Sequence, residues 1–332
     1  MATIFEGKNI LITGGTGSIG SEIVRRILQY QPKTIRVFAN DEDGQFNLQQ
    51  ELNNPSNVRF LLGDVRDKER LKRAIENIDF VFHTAALKHV PLCEFNPFEA
   101  VKTNVIGTQN VIEVAIEEEV EKLITISTDK AVNPVNVMGA TKLLAERLTI
   151  SANYYKGDRK TAFSCVRFGN VLGSRGSVVP LFNRQIEKSG SLTVTDPDMT
   201  RFILSLRNAV DLVLRATELA QGGEIFIFKM PKLRIIDLAE CMLEESMIPY
   251  GSSVRKAEIE IVGKRAGEKH YEELMTEDEA MNAYEIEDMF VMVPFQKRNE
   301  IVKKIPAKRY TSRDGDLLTK EQIKKMLREI LH

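Results

Sequence analysis

The chain has 332 residues, 43% hydrophobic and 28% charged, the make-up of an ordinary globular protein able to bury a substantial core as one large domain or two closely packed ones. Its 46 basic and 47 acidic side chains nearly cancel, so no global field favours nucleic acid or an anionic membrane, and an anionic ligand has to be held locally. Cys93, Cys165 and Cys241 show no metal-ligand spacing, the first residues lack a signal-peptide core and no apolar run is long enough to span a bilayer, so a cytoplasmic protein without disulfides or metal is expected.

Asn9–Thr13 predicts a buried strand that leads directly into Gly14-Gly-Thr-Gly-Ser-Ile-Gly20, after which Ile23, Ile27 and Leu28 recur at helical spacing. In such a strand-to-helix turn the glycines bare the backbone to a pyrophosphate, and the helix N-terminus supplies amide donors, so a dinucleotide is expected there. Thr34–Phe38 is a second strand, followed by Asn40, Asp41, Glu42 and Asp43 with no base among them. A carboxylate at this place favours the free ribose hydroxyl of NAD over the phosphate of NADP, although three consecutive acids also suit a solvated turn. Val58–Leu62 is a third strand, and Asp64 just beyond it suits the adenine edge or capping of a helix near Asp67.

Phe80–His83 and Leu123–Ile126 are further buried strands, with helical patterns over Leu71–Ile75 and Val105–Ile116 between them. This alternation predicts an α/β fold, a Rossmann-type doubly wound parallel sheet covered on both faces. Thr128, Asp129 and Lys130 follow the last of these strands, and Lys142 stands on the next helix. After about residue 170, Gly173, Gly176, Pro180 and Pro197 punctuate a less regular pattern of loops that close over a ligand. A helix with Asn208 as N-cap is expected to bury Val210, Leu212, Val213 and Leu214, and a last helix starts at Thr319, with Gln322 completing a capping box.

Together these motifs resemble the extended short-chain dehydrogenase/reductases, specifically the inverting UDP-N-acetylglucosamine 4,6-dehydratases of surface-polysaccharide synthesis. The resemblance rests on the glycine loop, Gly63-Asp-Val-Arg-Asp67, Ala85-Ala-Leu-Lys-His-Val-Pro91, Ser127-Thr-Asp-Lys-Ala-Val-Asn-Pro134, the run from Arg167 to Pro180, Met199-Thr-Arg-Phe202 and Arg265-Ala-Gly-Glu-Lys-His270. They occur in family order over about four-fifths of the chain. The resemblance implies a tightly bound, recycled nicotinamide cofactor, a UDP-sugar substrate and a homo-oligomer, while the balanced charge and the lack of a spanning segment lead one to expect neither nucleic acid nor membrane as partner. It divides the chain into a dinucleotide-binding part with the catalytic residues (1–170) and a smaller, mainly UDP-sugar-binding part (171–332).

By position, Thr128 would hydrogen-bond the carbon 4 oxygen, Asp129 would be the general acid for the carbon 6 hydroxyl, and Lys130 the base at carbon 5. A lysine acts as base only when burial or a nearby cation lowers its pKa, and Lys142 is the cation expected to do so. Lys142 would also orient the nicotinamide ribose. Thr16, Ser18, Ile19, Val65, Ala85 and Ala86 join Gly14, Gly17, Gly20, Asn40, Asp41 and Asp64 at the cofactor. For the substrate, the resemblance implies Asn170, Arg201 and Arg265 at the diphosphate and ribose, Val179 and Pro180 near the uracil, Glu268 on the ribose hydroxyls, and Lys88 and His89 toward the sugar. His89 alternatively makes a structural hydrogen bond to backbone.

Two departures stand out. Met138 occupies the place of the usual catalytic tyrosine, as in the capsule-type dehydratase/5-epimerase branch, and a thioether has no titratable proton. A water, the nicotinamide ribose or Lys130 would then have to accept the carbon 4 hydroxyl proton. The basic positions that accompany NADP in the family hold Asn40 and Gly44 here, which leans the cofactor toward NAD, with Arg36 the nearest base for a phosphate. A UDP-sugar 4-epimerase and a non-catalytic nucleotide-binding scaffold are the competing expectations.

Overall fold

The computed structural model describes residues 3–189, 191–247, 258–293 and 308–331. Strands β1 (Asn9–Thr13), β2 (Thr34–Ala39), β3 (Val58–Leu62), β4 (Phe80–His83), β5 (Lys122–Thr128) and β6 (Ala162–Phe168) lie in the order β3-β2-β1-β4-β5-β6, all parallel. This is the doubly wound order, and its reversal between β1 and β4 opens a crevice at the carboxyl ends of the strands. Ile225–Phe228 extends the sheet in parallel beside β6, then Met289–Met292 and Ala283–Glu285 add antiparallel, giving nine strands among the described residues.

The sheet thus continues past residue 170, drawing strands from both sides of it. Strand β6 was absent from the expected set because Ser164, Cys165 and Arg167 interrupt its apolar run, yet every one of its residues is buried. Helix α1 (Ser18–Leu28) buries Ile23, Val24 and Ile27 against the sheet, the stripe that its spacing predicts. The acidic run after β2 forms helix α2 (Glu42–Glu51), capped by Asp41, whose carboxylate accepts the Gly44 amide at 2.9 Å. Glu42 and Asp43 in its first turn suit the helix dipole.

Asp67, not Asp64, caps helix α3 (Lys68–Ile75). Two short helices, α4 (Val90–Phe95) and α5 (Pro97–Val101), then lead into a π-helical segment, Lys102–Ile106, before α6 (Gly107–Glu117). The widened turn holds Asn104 buried, accepting from the Leu87 amide (2.7 Å) and donating to the Leu87 carbonyl (2.9 Å). That clamp fixes the loop bearing Lys88 and His89. Asn136 caps α7 (Val137–Tyr155), which carries Met138 and Lys142.

Toward the C-terminus, Ser205 and not Asn208 caps the helix Leu206–Leu219, because the serine hydroxyl accepts the Asn208 amide at 3.2 Å. The capping box at Thr319 and Gln322 is formed as expected. A separate core gathers Leu172, Val179, Phe182, Ile203 and Leu233. Fully buried Arg167 on β6 donates to both oxygens of Glu146 on α7 (2.9 and 2.7 Å), both of Glu279 (3.0 Å each) and the Leu274 carbonyl (3.0 Å), which pins the segment around Leu274 to β6 and α7. Among the described residues no helix is long and apolar enough to cross a membrane.

Candidate active site

A cleft of about 1150 Å³ follows the carboxyl ends of the central strands. Gly14, Thr16, Gly17, Ser18, Ile19, Gly20, Asn40, Asp41, Asp64, Val65, Ala85 and Ala86 all line it. Gly14 has φ +64°, and a Cβ there would sit 2.7 Å from the Ala85 backbone; one on Gly20 would sit 2.5 Å from the Gly14 carbonyl. Gly17 caps α1 without a side-chain acceptor, so the first helical amides stay available to an anion. A dinucleotide pyrophosphate fits this cradle.

The far end of the cleft carries both carboxylates and bases. Arg66 donates to both oxygens of Asp64 (3.0 and 2.7 Å), and Asn40 adds a 3.2 Å bond. Although burial opposes it, hydrogen bonding from Arg66 holds the Asp64 carboxyl below the usual carboxylate range. Arg36 points away, donating to the carbonyls of Ala74 and Glu76 (2.8 Å each). Arg175, not singled out from the sequence, reaches the glycine loop instead: its amide donates to Ser18 Oγ at 2.9 Å, and its guanidinium bonds the Thr16 carbonyl and lies 3.7 Å from Asp41.

Thr128, at the end of β5, donates to Asp129 Oδ1 (2.9 Å) and accepts the Lys130 amide (3.4 Å). Asp129 is fully buried, and its Oδ2 has no hydrogen-bond partner in the protein. Lys130 Nζ lies 3.0 Å from Asp129 Oδ1, 3.4 Å from Asn170 Oδ1 and 3.5 Å from Glu272 Oε1. The expectation of a lowered Lys130 pKa is overturned: burial pulls it down, but Asp129 and Glu272 outweigh burial and hold the ammonium above its ordinary value. The opposing cation is Arg201, not Lys142.

Lys142 Nζ donates to the Ile126 carbonyl, and burial pushes its pKa down to about 8. Met138 is buried with Cys93 and Ala100 on the wall of the same cleft. Lys88 donates to the Arg175 carbonyl, and burial lowers its pKa. His89 lines the cleft where an added Cβ on Gly176 would come within 2.4 Å of its ring.

A second cleft of about 230 Å³ meets the first at Lys130 and Asn170, and Arg201, Arg265, Glu268 and Glu272 line it. Arg201 is held by the carbonyls of Thr200 (2.8 Å) and Lys269 (2.9 Å) and lies 3.7 Å from Glu268 and 3.8 Å from Glu272. Burial pushes the Glu272 carboxyl up, with Lys130 opposing and the Asp129 charge adding to the rise. Val179 does not reach either cleft; its side chain packs in the C-terminal core, and Pro180 lines neither. Sequence reasoning missed Glu272, Arg175 and Asn104. The first two had a readable signal, since Arg175 lies inside the Arg167–Pro180 run and Glu272 two residues past His270.

The sheet order, the glycine cradle and the Thr128-Asp129-Lys130 turn define an extended short-chain dehydrogenase/reductase. Residues 10–294 match the family model described as polysaccharide biosynthesis protein, and the chain belongs to that family. An uncharacterized membrane protein of Methanocaldococcus jannaschii is 63% identical over 99% of this chain and 98% of its own length. The UDP-N-acetylglucosamine 4,6-dehydratase (inverting) of Campylobacter jejuni serotype O:2 is 46% identical over 88% of this chain and 84% of its own. The UDP-glucose 4-epimerase of Rickettsia rickettsii is 41% identical over 98% and 96%. The X-ray structure of Pen from Bacillus thuringiensis superposes with a TM-score of 0.92 at 48% identity, covering 98% of this chain and 99% of that one.

Proposed function

We propose that the chain is a UDP-N-acetylglucosamine 4,6-dehydratase that inverts carbon 5 and supplies a glycan precursor. The observation that carries this reading is Lys130 at the junction of the two clefts, paired at 3.0 Å with the buried carboxylate of Asp129 behind it and beside the cradle that would hold a nicotinamide dinucleotide. The bound nicotinamide would supply the acceptor for carbon 4 and return the electron pair at carbon 6. Lys130 removes the proton at carbon 5, Asp129 protonates the departing carbon 6 hydroxyl, and Arg201 and Arg265 bind the diphosphate, for which a permanently charged guanidinium is suited. Lys142 orients the cofactor ribose. The Campylobacter relative supports the assignment by name.

The Rickettsia relative favours a 4-epimerase. That chemistry oxidises carbon 4 but takes no proton from carbon 5 and expels no hydroxyl, so it leaves Lys130 as a base, and Asp129 as an acid, without a task. Incubating the purified protein with UDP-N-acetylglucosamine should yield a 4-keto-6-deoxy product; a 4-epimer alone supports the epimerase, and unchanged substrate supports a silent scaffold. For the cofactor we propose NAD, because Arg66 and Arg175 at the adenosine end are already paired with Asp64 and Asp41 and Arg36 points elsewhere. Denaturing the protein and weighing the released dinucleotide tests this, and NADP alone would overturn it.

A further inference from the structure

Oxidation of carbon 4 breaks an O–H bond, and Met138 cannot hold the proton released. We infer that Thr128 and Asp129 carry it away: the carbon 4 hydroxyl donates to Thr128 Oγ1, and the proton already on Thr128 passes to Asp129 Oδ1. The inference rests on the dehydratase reading and adds the acceptor that the reading lacks.

The argument starts from what a hydroxyl can do. Thr128 has one proton and two lone pairs; the proton is directed at Asp129 Oδ1 at 2.9 Å, and one lone pair takes the Lys130 amide at 3.4 Å. What remains for a ligand in the cleft, which Thr128 lines, is a lone pair. A sugar hydroxyl bound there therefore donates, and its proton points into a bond that already ends on a carboxylate. That carboxylate is fully buried; Oδ2 has no partner and is packed so closely that a Cβ on Gly169 would lie 3.0 Å from it. The proton that Thr128 passes on ends on this carboxylate. Lys130 is not stranded when this happens, because Glu272 stays 3.5 Å away as its second counter-ion.

The bonds balance. The substrate O–H breaks and a new O–H forms on Thr128, while the former Thr128 proton forms an O–H on Asp129. The pair left on the sugar oxygen becomes the second carbonyl bond as the carbon 4 hydrogen leaves with two electrons, for which the nicotinamide, when bound, would supply the acceptor. The proton stored on Asp129 is the one that later leaves with the carbon 6 hydroxyl as water. Asp129 is thus loaded as an acid only after carbon 4 is oxidised, so elimination follows oxidation by construction.

The 6-deoxy analogue of UDP-N-acetylglucosamine tests the path, since it can be oxidised at carbon 4 but has no hydroxyl to lose and leaves the acid role of Asp129 idle. Added to holoenzyme, it should generate reduced nicotinamide in the parent protein and in Thr128→Ser, and about 100-fold or more slowly in Asp129→Asn and Thr128→Val, with analogue affinity in Asp129→Asn unchanged. A reading independent of turnover is the infrared carbonyl band of a protonated carboxyl, which should appear with the analogue in the parent and be missing in Asp129→Asn. Parental reduction rates in Asp129→Asn, or normal reduction without the new band, overturn the path. Should Asp129→Asn fail to retain its dinucleotide, the Thr128 pair decides, and equal rates in valine and serine overturn it. Failure of the parent to make a 4-keto-6-deoxy product from UDP-N-acetylglucosamine removes the dehydratase reading instead, a separate outcome.

Discussion

The two ends of the site are built from different materials. The cofactor end is made by backbone from one short stretch, where Gly14, Gly17 and Gly20 shape a cradle and a helix N-terminus supplies the charge. The other end is made mostly by ionised side chains drawn from distant segments: Lys130 after β5 with buried Asp129 behind it, and Arg201, Arg265, Glu268 and Glu272 farther on, joined by the amide of Asn170. Backbone recognition tolerates no added atoms, whereas a charged cluster tolerates shape changes but depends on its count of charges. Substitutions at the two ends should therefore fail in different ways.

The largest effect is expected at the charged end. Lys130→Ala should lower turnover by about 10²–10⁴-fold while sparing UDP-sugar binding, because the loss is of a proton acceptor and not of a nucleotide contact. Product formation and calorimetric titration with UDP check it, and near-parental turnover would remove Lys130 as the base. Next is the backbone end: Gly20→Val places its Cβ about where 2.5 Å already separates that position from the Gly14 carbonyl, so purified protein should lose its dinucleotide with the fold retained. Absorbance per chain before and after denaturation measures this.

A subtler test reads the pH dependence. Lys130 is held protonated by Asp129 and Glu272, so activity should climb as pH rises through its raised pKa. Glu272→Gln removes one of the anions that favour the ammonium, although Asp129, Arg201 and Lys269 still face the position. The rising limb should then move to lower pH; an unmoved or alkaline-shifted limb contradicts the ion pairing seen here. Smallest in activity is Met138→Ala, which should leave turnover within about tenfold, since this side chain holds no proton, while lowering stability by about 2–5 kcal/mol through the cavity it leaves. Thermal or urea unfolding gives the second number.

The contrast also explains what could be read from the sequence. Strand, glycine loop and helix at the N-terminus are contiguous, so period and turn chemistry together reveal them, and every expected cofactor residue lines one cleft. Strand β6 was hidden because Arg167 needs two remote carboxylates before a charge can sit inside a sheet. The lowered pKa expected for Lys130 failed for a similar reason: Glu272 lies 142 positions away along the chain, and only folding brings its carboxylate to the ammonium. Val179 was placed near the uracil on motif position alone, and its burial against Leu172 and Phe182 reflects a second core that no local pattern announces.

The Arg167 clamp bears on how the protein comes into being on the ribosome. When β6 has emerged, Glu146 is already present, but Glu279 is still more than a hundred residues from being made. Until it arrives, Glu146 alone balances the guanidinium charge, and the donors that later meet Glu279 and Leu274 lack acceptors, at about 1–3 kcal/mol for each buried group left unpaired. The Gly14–Gly20 turn has been made well before then, so a dinucleotide captured there early would offset part of that deficit, and adding it during synthesis should raise the yield of folded chains.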